Sequence, residues 1–73
     1  MSKKQIRIKG NQIIDKREDI LNQYMSVIIL DKRSYFLKAI KIDHVNFEGV
    51  DMRNSIHSFV LEHIDEIILE QSV

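Results

Sequence analysis

His44, His57 and His63 are the residues of this chain best suited to metal ligation or proton transfer. Their spacing matches no paired-histidine ligand motif, and with no cysteine there is no thiolate to complete a site. Neither a metal nor another cofactor is expected. Asp65 and Glu66 are adjacent carboxylates, but neighbours on a strand point to opposite faces, which makes them a poor acid–base pair. There is no glycine-rich phosphate loop and no Ser/His/Asp arrangement, so the chain is expected not to be an enzyme. Binding chemistry remains. Lys3, Lys4, Arg7 and Lys9 form one dense basic stretch, and Lys32-Arg33 a second small patch at a turn. Both could track phosphates, or simply keep the surface solvated. His63 could hydrogen-bond a base or a phosphate, or serve only its turn. Tyr35 is the aromatic residue expected to be free to stack on a base. Glu62 beside His63 would repel phosphate and suit a cation or a basic partner segment better.

Apolar periodicity predicts the secondary structure around these residues. Residues 1–9 read as a basic arm in which Ile6 and Ile8 alternate with Arg7 and Lys9, and Gly10-Asn11 as a turn. Asp15 and Glu18 have capping-box spacing, which predicts a helix over about residues 15–24 with Ile20, Leu21 and Tyr24 on one face. Three strands are then predicted over residues 26–30, 35–42 and 45–52, joined by turns at Asp31–Ser34 and Asp43-His44. In the third, the apolar face switches at Gly49, where a bulge or sharp bend is expected. Residues 56–69 fit either a strand, a turn at Glu62-His63 and a last strand, or an amphipathic helix carrying Val60, Leu61, Ile64, Ile67 and Ile68.

Seventy-three residues allow one domain, read as the arm 1–9 and a single unit 10–73. Ile, Val, Leu and Phe are 26 of the residues, too many for a disordered chain, and 13 of them are Ile, which favours strands. No apolar run is long enough to span a bilayer or to serve as a secretory signal, so a cytoplasmic, membrane-free protein is expected. The net charge of zero hides polarity. Residues 1–41 hold ten Lys/Arg against four Asp/Glu, and residues 42–73 one against seven. Neutrality excludes an indiscriminate nucleic-acid coat but not a local basic face.

Three segments carry a family resemblance. Lys9-Gly10-Asn11-Gln12-Ile13-Ile14-Asp15 resembles the Lys-Gly…Gln-Asp lead-in to the helix of Sm-like proteins of the bacterial RNA chaperone (Hfq) type. Ile28-Ile29-Leu30-Asp31-Lys32-Arg33 followed by Leu37 to Asp43 is similar to that family's first two strands, which end in an apolar-Asp pair. Val60-Leu61-Glu62-His63-Ile64 looks like the segment around its Tyr-Lys-His motif. The resemblance implies a mostly β fold, an Sm-like or SH3-like bent five-stranded antiparallel barrel with a short N-terminal helix. It also implies a closed homo-oligomeric ring, usually a hexamer, made by pairing the fourth strand of one copy with the fifth of the next. At the family's uridine-contact positions this chain has Ile14, Val45 and Glu62-His63, so only His63 is retained, and Ile29 replaces a tyrosine that contacts purine-rich RNA.

The function expected is a small RNA-binding protein that assembles with itself and presents single-stranded RNA. Its candidate contacts are His63, Lys3, Lys4, Arg7, Lys9, Lys32, Arg33 and Tyr35. The alternatives are an oligomeric protein-interaction scaffold of the same fold without RNA binding, and a small α+β docking module with a C-terminal amphipathic helix.

Overall fold

The computed structural model describes residues 3–72, with side chains over 4–70. The fold is mostly β. Six strands, β1 (Lys3–Lys9), β2 (Tyr24–Ile29), β3 (Ser34–Ile42), β4 (Asn46–Val50), β5 (Ile56–Val60) and β6 (Ile64–Ser72), form one antiparallel sheet in the order β1-β6-β2-β3-β4-β5. The sheet is not closed: β1 and β5 are its two edges. It has one strand more than the expected five because the basic arm is itself a strand, pairing with β6 from Lys3↔Ser72 to Lys9↔Glu66.

Alternation decides the core. Ile8, Met25, Val27, Leu37, Ala39, Phe47, Ile67 and Leu69 point to one face and are buried. Ile13 and Ile20, from the segment between β1 and β2, close over that face. The segment is not the predicted helix of 15–24. It comprises 3-10 turns at Gly10–Gln12 and Ile14–Lys16 and a single α-turn, α1 (Arg17–Ile20), with no side-chain cap. The sheet overrides helical spacing here: Tyr24 and Met25 pair with Lys38 and Leu37, and Asn22, at φ 67°, turns the chain out of α1 into β2.

The bulge expected at Gly49 lies on the partner strand instead. The β3–β4 register slips between Ala39 and Lys41, so Leu37, Ala39 and Ile42 all face inward while Phe47 and Gly49 keep one unbroken inward parity. Gly49 has a different reason to be glycine, because a Cβ there would lie 2.9 Å from Leu37 Cβ. A second slip falls between Ile28 and Ile29, where β2 meets β6. The C-terminal third is strand, 3-10 turn (Leu61–His63) and strand, so the amphipathic helix of the docking-module alternative is not formed. No helix among the described residues is long and apolar enough to cross a membrane.

Candidate binding surfaces

The first surface is a groove of about 530 Å³ between the turn at Gly10–Gln12 and the turn at Leu61–His63. Its walls approach closely because Gly10 packs against the Ile64 carbonyl oxygen, which any Cβ at position 10 would strike. Leu30 N–H donates to the His63 carbonyl (2.9 Å) and Leu61 N–H to the Val45 carbonyl (2.7 Å), which draws three separate connections together. Ile14, Leu30, Leu61 and Ile64 give the groove an apolar floor, with Lys9, His44, Glu62 and Asp65 around it. Ile14, Val45 and Glu62-His63, far apart in sequence, are thereby brought to one region. Its polar character is mixed, because the carboxylates of Glu62 and Asp65 stand beside Lys9 and His44.

The predicted basic contacts are mostly ion-paired within the chain. Arg7 Nη1 is 3.0 Å from Glu66 Oε1 and Lys9 Nζ 3.4 Å from Glu66 Oε2, two cations over a carboxylate only 13% exposed. The β1–β6 register causes this, since Lys9 lies directly across from Glu66 and Arg7 two residues along the same face. Lys32 lies 3.9 Å from Asp65. Arg33 donates from Nε to Asp31 Oδ2 (2.7 Å) and from its backbone N–H to Asp31 Oδ1 (3.0 Å). That side-chain bond, with the backbone one, holds the Asp31 carboxyl below the usual aspartate range. Lys4 is exposed on β1, and the Lys3 side chain lies outside the described residues. His63 is exposed in its turn.

Tyr35 is not the free aromatic residue expected. It faces inward opposite Val27, half-buried, with its ring 5.2 Å from Phe59 and 5.7 Å from His57. His57 in turn meets Asp51, Nε2 to Oδ2 at 2.9 Å, and Asp51 Oδ1 accepts the backbone N–H groups of Arg53 (2.8 Å) and Ser55 (3.0 Å). The His57 bond first, then the two backbone bonds, hold the Asp51 carboxyl low. His57 is thus committed to the β4–β5 turn, and the three imidazoles stand on three separate segments.

The exposed aromatic residues are those of opposite parity. Phe36 and Tyr24, 54% and 45% exposed, stack on the outer face of β3 and β2 with centroids 5.4 Å apart and planes 8° apart. They are diagonal cross-strand neighbours, because Phe36 pairs with Ser26 and Tyr24 with Lys38. Lys38 therefore adjoins the stack, and Ile40 is exposed one step beyond. Strand parity was the signal in the sequence that could have found Phe36: once Leu37 and Ala39 face inward, Tyr35 does too and Phe36 cannot. Comparison with protein families, curated proteins and solved structures returns no match.

Proposed function

We propose that this chain is a small Sm-like, Hfq-like binding protein that associates with itself and acts by holding single-stranded RNA, without covalent chemistry. The order of a short helical segment followed by five antiparallel strands, β2 to β6, with two register slips, supports this reading, although β1 adds a sixth strand and the sheet is open where the resemblance implies a barrel. The observation that carries the ligand class is the Tyr24–Phe36 stack on an open sheet face beside Lys38. Single-stranded nucleic acid is held in this way elsewhere, by bases stacking on exposed rings and a nearby cation meeting the backbone. The contact surface is then the outer face of β2–β3, and the basic arm contributes mainly by pairing with β6. A ring closed through the last strand would need a free edge on β6, and β1 covers that edge. Self-association in this reading uses the remaining edges.

A second reading has its own support: the same fold as a protein-interaction scaffold without RNA. Arg7, Lys9, Lys32 and Arg33 are all engaged by carboxylates of the chain, and Glu62 and Asp65 flank the groove. Titration with labelled A-rich and U-rich RNA oligonucleotides separates the two. Saturable binding that Phe36→Ala weakens supports the first reading, and no binding by the folded protein leaves the scaffold.

A further inference from the structure

The sheet ends in two edges of opposite character. β1 carries Lys3, Lys4, Arg7 and Lys9 in seven residues, the kind of charged edge that resists pairing with another strand. β5, Ile56-His57-Ser58-Phe59-Val60, carries no Asp, Glu, Lys or Arg and pairs only with β4 among the described residues. Apolar side chains crowd this unguarded edge. Ile56 and Val60 are exposed along the strand, Met52 lies in the turn before it, and Val45 lies next to its far end.

We infer that β5 pairs antiparallel with β5 of a second copy, about a two-fold axis at Ser58. The strand is self-complementary in that register. Ile56 meets the second copy's Val60, Ser58 meets Ser58, and His57 meets Phe59, with no like charges opposed. One continuous sheet then runs through both copies, and its inner face joins the two Tyr35–Phe59 clusters. Among the described residues the only edges left are the two lysine-bearing β1 strands, so association stops at two copies. This deepens the self-association proposed above and is independent of whether RNA binds.

The absence of cysteine supplies a clean probe. Directly opposed residues of antiparallel strands have Cα atoms about 4.5–5.5 Å apart, within disulfide reach. Ser58→Cys, at an exposed position, should give a covalent dimer under mild oxidation. Lys4→Cys, equally exposed on the other edge, should cross-link at least tenfold more slowly. Light scattering of the unaltered protein should give twice the 8.7 kDa chain mass, and Ile56→Lys should return it to the single-chain mass with an unchanged circular dichroism spectrum. A single-chain or ring-sized mass for the unaltered protein overturns the inference. So does a Ser58→Cys protein that cross-links no faster than Lys4→Cys, or a folded Ile56→Lys protein that stays dimeric.

Discussion

Tyr35 and Phe36 are chain neighbours that the sheet sends to opposite faces, and most of the functional proposal turns on that single alternation. Phe36→Ala removes one ring of an exposed pair. Stability should fall by about 0.5–1 kcal/mol through the lost cross-strand stack, while RNA affinity falls about 5- to 150-fold if one base stacks there. Tyr35→Ala should instead cost about 2 kcal/mol through lost contacts with Phe59 and His57 and leave RNA affinity unchanged. Chemical denaturation and anisotropy titration of both proteins check the pair. The sequence contained this distinction, because inward Leu37 and Ala39 set the parity of β3. Residue type alone made Tyr35 look the more available ring, and type carries no direction. The ion pairs of Glu66 were less legible, since they depend on the register of strands almost sixty residues apart.

At the scale of elements, β2 and β3 were readable to within two residues at each end, because β-branched runs bounded by polar turns leave little choice. The helix was not. Capping-box spacing at Asp15 and Glu18 is a local preference worth about 1 kcal/mol, and the pairing of Tyr24 and Met25 with β3 outweighs it. The arm's role as β1 was only half visible: Ile6 and Ile8 alternate as in a strand, but nothing local names β6 as the partner. The β2–β3 turn yields a prediction. Lys32 holds φ 77°, in the left-handed region that a side chain resists, in a turn otherwise tied by Asp31 to Arg33. Lys32→Gly should raise stability by about 0.5–1 kcal/mol, the relieved strain exceeding the added backbone entropy of the unfolded chain. Thermal unfolding of the variant beside the unaltered protein measures it.

For the whole molecule, the basic and acidic halves of the sequence meet inside each chain. Arg7 and Lys9 lie over Glu66, and Lys32 near Asp65. Polarity along the sequence therefore does not become a simple positive face, which is why the aromatic stack and not the arm carries the RNA reading. Stability against acid depends on another set of charges. Asp31, Asp43 and Asp51 each accept turn hydrogen bonds that hold their carboxyls below the ordinary aspartate value of 3.8: the Arg33 side chain for Asp31, the Asn46 and Val45 N–H groups for Asp43, and first His57 for Asp51. The unfolded chain takes up protons at these sites first as pH falls. Their stabilisation is thus complete above 3.8 and is lost as pH drops through the lower folded values. The melting temperature should fall below that point, and Asp51→Asn should make the fall shallower. A profile flat to much lower pH would contradict the turn-anchoring role of these carboxylates.

In the function proposed, an exposed aromatic stack, helped by few cations, holds single-stranded RNA. Fluorescence anisotropy with a labelled A-rich or U-rich oligonucleotide, at two salt concentrations a factor of ten apart, tests it most directly. With one or two phosphates neutralised, single-strand affinity should fall about 5- to 25-fold between the two salts. Saturable binding with that shallow dependence is expected, weakened by Phe36→Ala at both salts. No saturable binding at the lower salt, or a folded Phe36→Ala protein that binds as tightly as the original, would contradict it.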